Sequence, residues 1–338
     1  MRATNWLGDA VMSLPALRGL RARFPGSHIA VLAKPWVADL YRRESFADEV
    51  IVYPAPRGLR GLREKLNLTR DLRRKQFDAA ILLQNAFEAA LVVWLARIPT
   101  RIGYNRDHRG FLLTQPIDVP AKGEISLHQR FYYLELLRRA GIVEEIADDA
   151  VRLEASSAAE AGRARFHALG WPLGVIGVSP GAAYGSAKRW LPERFAESAA
   201  RIATERGFAV AIFGSRDERP LCESVRATLA GFAPDIPAWN FAGETALAEF
   251  INLAAACDGF LTNDSGAMHI ASALGVPTVA VFGATDDIAT GPAGLLSRAV
   301  REPVECSPCL LRECPIDHRC MTRVATERVA RTALELLK

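Results

Sequence analysis

Short runs of apolar and β-branched residues recur along the chain, separated by stretches in which apolar positions return every three or four residues. In the first half the strand-like runs are 28–33, 49–53 and 77–83, and the helical patterns are 10–23, 59–75 and 87–96. In the second half the runs are 174–179, 208–213, 259–262 and 278–282, and the helical patterns are 192–206, 218–230, 247–256 and 267–274. Strands apolar along nearly their whole length, each followed by a helix, predict parallel sheets covered on both faces. The pattern occurs twice. An Ala-rich polar stretch at 154–170 and Trp171-Pro172 precede the second occurrence, which predicts one domain over 1–155 and another over 156–338. Two doubly wound domains would face each other across a cleft, each offering the loops at the carboxyl ends of its strands. A last helix, 326–338, is compatible with packing on either domain. The opening Met1-Arg2-Ala3-Thr4 is short against a typical strand of about 5–6 residues, which suggests that the natural first strand begins upstream of Met1.

Composition narrows the class. Half of the 338 residues are hydrophobic and 24% are charged, a globular share that argues against disorder and low complexity. No run of ~18 apolar residues marks a membrane span, and Asp9 interrupts the opening apolar stretch before a signal peptide can form. A cytoplasmic protein is expected, and six cysteines in a chain of this length do not make a secreted disulfide scaffold. Charge is uneven: residues 1–150 hold 23 Lys and Arg against 17 Asp and Glu, while the remainder holds 19 against 21. The densest basic stretch, 57–75, has two readings. It is an attachment surface for an anionic partner such as a phosphorylated glycolipid or a membrane, or it is a solvated helix face. No nucleic-acid partner is expected.

Candidate chemistry concentrates at strand ends. In Thr262-Asn263-Asp264-Ser265-Gly266 an apolar strand runs through a turn into a helix, with His269 one helical turn after Ser265. A helix start presents free N–H groups and the positive end of its dipole to an anion. The same residues also suit an ordinary N-cap by Asp264 or Ser265. A second strand ends in Gly181-Ala182-Ala183-Tyr184, a small-residue loop leading to Lys188 and Arg189. Small residues admit a phosphate, and Lys supplies a point charge. Phe213-Gly214-Ser215 and Ala242-Gly243-Glu244-Thr245 have the same form. Four such loops predict one diphosphate pocket at one sheet edge. Neither the P-loop spacing nor G-x-G-x-x-G is present, which argues against a dinucleotide-dependent oxidoreductase. Asp9 stands at the first strand–helix junction, where spacing alone suits an N-cap. Cys306, Cys309, Cys314 and Cys320 fall within fifteen residues beside His318. This spacing suits either a structural zinc site or reduced thiols packing a long loop. Cys222 and Cys257 lie in apolar helical patterns and are expected in the core.

These segments, with Asn5-Trp6-Leu7-Gly8-Asp9, resemble the motifs of the ADP-heptose:lipopolysaccharide heptosyltransferase family, in the same order along nearly the whole chain and most closely those of its type II members. The resemblance implies a GT-B fold with an acceptor domain first and a nucleotide-sugar domain second. It implies inverting transfer of heptose from ADP-heptose to the heptose/Kdo inner core of lipopolysaccharide, the second heptose in particular, without a catalytic cofactor. By position, Asp9 would be the general base and Lys188 would neutralise the diphosphate. Ser265, Gly266 and His269 would hold phosphates, Asp264 would shape that turn or meet the sugar, and Gly214, Ser215 and Thr245 would sit near adenosine. Relatives place an acidic residue after the Phe-Gly-small motif; here Arg216 follows, leaving Asp217 as the ribose candidate. Asn5, Trp6, Arg60, Arg63, Asn85, Tyr104, Arg106 and Arg109 are acceptor candidates. The implied acceptor is a lipid A–Kdo/heptose core, with peripheral contact at the cytoplasmic face of the inner membrane. Competing readings are a transferase for another nucleotide sugar or a protein acceptor, and an inactive nucleotide-binding scaffold.

Overall fold

The computed structural model describes residues 1–53, 58–146, 150–155, 157–171 and 174–338, with 58–60 in backbone only. The chain forms two compact units, Met1–Asp149 and Ala150–Lys338. In the first unit β1 (Ala30–Ala33) pairs with β2 (Glu49–Val52), and β3 (Ala79–Leu82), β4 (Thr100–Tyr104) and β5 (Gln115–Ile117) form a second sheet, all parallel. Arg2 joins the two sheets, bridging in parallel to Leu32 on one side and Leu82 on the other. Beside this bridge, between β1 and β3, lies a cavity of about 550 Å³ lined by His28, Ala30, Ala79 and Ile81. Burial at this point holds the Met1 ammonium down to about 5, helped by the neighbouring Arg2 charge.

In the second unit β6 (Val175–Ser179), β7 (Ala209–Ile212), β8 (Ala238–Asn240), β9 (Gly259–Asn263), β10 (Thr278–Phe282) and β11 (Ser297–Arg301) form one parallel sheet. Its order is β11-β10-β9-β6-β7-β8. Counted from β8, the strands run third, second, first, fourth, fifth, sixth, the order of a dinucleotide-binding sheet. The first unit has the same order once the Arg2 bridge takes the first place between β1 and β3. The expected α/β class with two Rossmann-like parallel arrays is the observed one.

The most apolar runs became strands with both of their faces covered. Every residue of β6, β9 and β10 is buried. On one face Ile176, Val178, Leu261, Val279 and Val281 meet Phe195, Ala199 and Ile202 of the helix Pro192–Arg206. That helix starts with Pro at its first turn, where a missing N–H costs nothing, and ends at Gly207 in the left-handed region, which closes the last turn. The terminal helix Thr326–Leu336 inserts Val329, Ala330 and Ala333 into this same core. On the opposite face Phe213 stacks with Phe241 and Phe260 at 5.6 and 5.9 Å.

Four strands lacked an apolar run. β5, β8 and β11 lie at sheet edges, where one neighbour suffices and Pro116 or alternating exposure is tolerated. β4 carries Arg101 and Gly103 and begins exposed. The single helix expected over 10–23 is two, Leu7–Met12 and Leu14–Arg23, because Pro15 lacks an N–H and cannot continue the preceding turn. The Ala-rich stretch at 154–170 contains the helix Ala158–His167, with Phe166 in the core of the second unit. A Cβ on Gly162 of that helix would lie 2.1 Å from the Asn252 carbonyl oxygen. Gly162→Val is therefore expected to lower the urea midpoint, by the about 1–3 kcal/mol typical of overpacking. Gly26→Ala, with open space around its Cβ, should leave the midpoint unchanged.

Candidate active site

The second unit gathers its expected loops at the carboxyl ends of β6 and β9, the adjacent strands where the order reverses. Asn263, fully buried at the end of β9, ties them together. Its amide donates to the Pro180 carbonyl at 2.7 Å, and its oxygen accepts from the Trp190 N–H at 2.8 Å. Both ends of the 180–190 loop are fixed by that one side chain. Next to it, Asp264 is 5% exposed and accepts from Lys188 Nζ at 2.5 Å and Thr285 Oγ1 at 2.6 Å. The Lys188 ammonium also lies 4.8 Å from the Tyr184 ring centre.

These contacts change the reading of the turn. The Asp264 carboxylate is engaged with Lys188 and Thr285. Ser265 occupies the N-cap position of the helix Gly266–Ala273 without making a side-chain cap bond; its hydroxyl lies 3.2 Å from that of Thr262. The start of this helix therefore has no side-chain cap, and the Lys188–Asp264 pair lies beside it. His269 is buried four residues into this stretch, and its N–H bonds the Ser265 carbonyl at 3.4 Å. Ala182 is buried and Ala183 exposed. A Cβ on Gly181 would lie 2.1 Å from a Glu218 carboxylate oxygen, so the Glu218 side chain would have to shift to admit one.

The outer loops meet in the same region. The Gly243 N–H donates to the Gly214 carbonyl at 3.1 Å, with Gly243 in the left-handed conformation. Thr245 follows, half-buried. Ser215 is engaged with Glu218, whose carboxylate accepts from both its N–H and its hydroxyl at 2.9 Å. Glu218 therefore links the Gly181 and Ser215 loops, while Asp217 is exposed. Sequence reading missed Asn263, Thr285 and Glu218 as organisers. A capping-box spacing, Ser215 to Glu218, was the one available signal.

In the first unit a pocket of about 280 Å³ is lined by Asn5, Trp6, Asp9, Asn85, Tyr132 and Tyr133 among others. Asp9 lies in the first turn of the helix Leu7–Met12. It accepts a hydrogen bond from the Tyr133 hydroxyl at 2.9 Å. Burial, and then the Asp9 charge, push the Tyr133 phenol well above its usual range, so the tyrosine stays a donor. Trp6 is exposed beside the pocket, and Asn5 is held by Arg2 at 2.9 Å. Asn85 donates to the Tyr132 hydroxyl at 2.6 Å.

Two acceptor candidates, Tyr104 and Arg109, are buried behind the pocket rather than exposed in it. Tyr104 is fully buried, with its hydroxyl donating to the Tyr132 carbonyl at 2.8 Å, so it supports the pocket from behind. Arg109 is also fully buried. It donates to the Tyr104 carbonyl at 3.0 Å, the Asn85 side chain at 3.0 Å and the Gln84 carbonyl, and so shapes the 84–86 loop. Arg106 is exposed outside the pocket lining, 3.9 Å from Asp107. Arg63 is exposed on the helix Gly58–Arg74. The side chain of Arg60, with Arg57, lies outside the described residues.

The zinc expectation is not met by the side-chain arrangement. Among the described residues no group of three or more His, Cys, Asp or Glu is placed to hold a metal ion. Cys320 is buried in the core of the second unit and Cys306 packs against it. Burial, and then the neighbouring thiols of Cys306, Cys314 and Cys309, push the Cys320 thiol up to about 11. Cys222 and Cys257 are buried as expected.

The family model for glycosyltransferase family 9 (heptosyltransferase) matches residues 65–319. The lipopolysaccharide heptosyltransferase 2 of Escherichia coli K12 is 34% identical over 304 residues, covering 88% of this chain and 86% of the relative. The lipooligosaccharide heptosyltransferase 2 of Haemophilus influenzae is 32% identical over 296 residues, covering 85% and 84%. The solved E. coli ADP-heptose lipopolysaccharide heptosyltransferase II superposes with a TM-score of 0.82 at 29% identity, covering 99% of this chain and 97% of that one. A family 9 glycosyltransferase from Veillonella parvula superposes at 0.83 with 21% identity, a likeness of fold.

Asn263→Ala tests the loop assembly. It leaves the Trp190 N–H and the Pro180 carbonyl without their buried partner, at about 1–3 kcal/mol for each group. The expected result is a lower unfolding midpoint with faster amide exchange across 180–190. Unchanged exchange there would mean that Asn263 does not hold the loop.

Proposed function

The chain belongs to glycosyltransferase family 9, and from that premise we propose that it transfers a heptosyl unit from ADP-heptose to the heptose/Kdo inner core of lipopolysaccharide, adding the second heptose. That it is a glycosyltransferase follows from the family. ADP-heptose and lipopolysaccharide are in the names of its relatives, and the inner-core position is what the motif resemblance implies. The observation that carries the proposal is the Lys188–Asp264 pair, held by Thr285 beside a helix start without a side-chain cap. Such a site suits two phosphates carried on a small polar group.

In the proposed reaction an acceptor hydroxyl oxygen attacks the anomeric carbon of the heptosyl unit. A new glycosidic C–O bond forms, and the bond from that carbon to the β-phosphate oxygen breaks with its electron pair going to ADP. A single displacement inverts configuration at that carbon. Asp9 takes the hydroxyl proton, with Tyr133 orienting the carboxylate. Lys188 and the N–H groups of the helix Gly266–Ala273 offset the charge growing on ADP. Asn5, Trp6 and Asn85 line the pocket that contains Asp9 and are the acceptor contacts of this reading.

A lipid-linked anionic acceptor also suits the helix Gly58–Arg74. It exposes Leu62 and Leu66 alongside Arg63, Arg70, Arg73 and Arg74, a mixture that suits a membrane surface bearing phosphates. Among the described residues no helix is long and apolar enough to cross a membrane. The attachment proposed is therefore peripheral, at the cytoplasmic face.

The direct test is ADP release from ADP-heptose with core acceptors carrying no heptose or one heptose. Release is expected with the singly heptosylated acceptor. Release that needs no core acceptor, or that follows another nucleotide sugar, would overturn the assignment. Asp9→Asn should lower kcat by about 10²–10⁴, the usual worth of a general base, while ADP binding by calorimetry stays unchanged. Near-normal turnover would remove Asp9 from that role. Tyr133→Phe removes the hydrogen bond that orients the Asp9 carboxylate, so kcat should fall while ADP binding stays unchanged. Unchanged kcat would show that Tyr133 does not position the base.

A further inference from the structure

We propose that the cysteine-bearing segment 304–321 forms the outer wall of the donor diphosphate site. In it Arg312 is a second donor-contact cation and His318 positions the turn that carries Lys188. The proposal rests on the donor reading given above.

The segment is bonded to both elements that place the Lys188–Asp264 pair. Toward the 180–190 loop, the Ala187 N–H donates to the Arg312 carbonyl at 3.0 Å, and His318 Nε2 lies 3.0 Å from the Ala187 carbonyl oxygen. Ala187, one residue before Lys188, is thus held through both its N–H and its carbonyl. The Tyr184 hydroxyl donates to the Leu310 carbonyl at 2.8 Å. The approach is close enough to demand glycine: a Cβ on Gly185 would lie 2.1 Å from the Arg312 carbonyl oxygen. Toward β10, the Ser307 hydroxyl donates to the Gly283 carbonyl at 2.6 Å and the Leu310 N–H to the Ala284 carbonyl at 2.8 Å. Thr285, which holds Asp264, is the next residue. Buried Cys320 and Met321 anchor the far end against Gly283. His318 has φ of 56°, a left-handed conformation uncommon outside glycine and one that a fixed local role can stabilise.

Charge balance makes Arg312 more than a brace. Lys188 is neutralised by Asp264 at 2.5 Å, so that pair carries little net charge toward a dianion. Arg312 is exposed and has no carboxylate ion pair among the described residues. Its guanidinium lies 5.2 Å from the centre of the same Tyr184 ring that Lys188 approaches at 4.8 Å. The two cations are within about 10 Å of each other, a distance at which one diphosphate interacts with both. The Tyr184 ring makes a cation–π contact with each of them, and the planar guanidinium suits two oxygens of one phosphate.

The test uses the full chain, with ADP titrated by calorimetry and ADP-heptose varied in steady state. Arg312→Ala should raise the ADP Kd and the donor KM about tenfold or more, with kcat within about threefold and the unfolding midpoint unchanged. Arg312→Lys should recover part of the loss. His318→Ala should weaken ADP binding and lower kcat, because Lys188 is displaced, and His318→Gln should restore much of both. An Arg312→Ala protein that binds ADP as the parent does would overturn the assignment of Arg312. A His318→Ala protein that loses thermal stability but keeps its ADP affinity would overturn the positioning role. If the parent itself binds no ADP, the donor reading and this proposal fail together; if the parent binds ADP and the variants match it, only this proposal fails.

Discussion

A carboxylate that is 5% exposed must be paired, and the pairing of Asp264 organises the second unit of this molecule. Its two oxygens are at the carboxyl end of β9, where the sheet order turns back on itself. Lys188 answers it from the loop after β6, and Thr285 from the loop after β10. Three neighbouring strands therefore deliver their loops to one charge. Asn263 fixes the ends of the Lys188 loop through two backbone groups. The small residues around the pair follow from the same crowding. Gly181 and Gly185 face a carboxylate oxygen and a carbonyl oxygen where any Cβ would stand.

The two units share one strand order and use the same position differently. In the first unit the turn after the Arg2 bridge carries Asn5, Trp6 and Asp9. In the second, the turn after β6 carries Gly181 to Lys188. One turn leads to a carboxylate kept company by a buried phenol, suited to accepting a proton. The other leads to an ammonium beside a helix start, suited to holding anions. The common geometry is that of doubly wound sheets, in which strand ends at the switch point are left uncovered. What differs is the residue each turn offers.

The buried arginines and the cysteines illustrate how local chemistry misleads. Arg109 and Tyr104 have the composition of acceptor contacts, yet both are fully buried and support the 84–86 loop and Tyr132. The cysteine spacing suits a metal, yet Cys320 and Cys306 turn into the apolar core. Spacing along a loop says which side chains are near in sequence. It does not say which way each one points, and that direction decides between ligand and filler.

Much was legible without coordinates. Continuous apolar runs specify strands, so β1 to β3, β6, β7, β9 and β10 were visible, as were the helices that cover them. The strand-end loops with Asp9, Lys188 and Ser265 were visible because glycine, small residues and charge at a strand–helix junction have few other uses. The edge strands β5, β8 and β11 were not visible, since one neighbour asks little of their side chains. The partners across the fold were not visible either: Asn263 to Trp190, Asp264 to Thr285, Asp9 to Tyr133, Arg312 to Ala187. Those pairs join residues that are distant in sequence or come from different loops. Only the tertiary structure decides them, because hydrogen bonding and desolvation depend on position in space, whereas hydrophobic periodicity is written in the order of the residues.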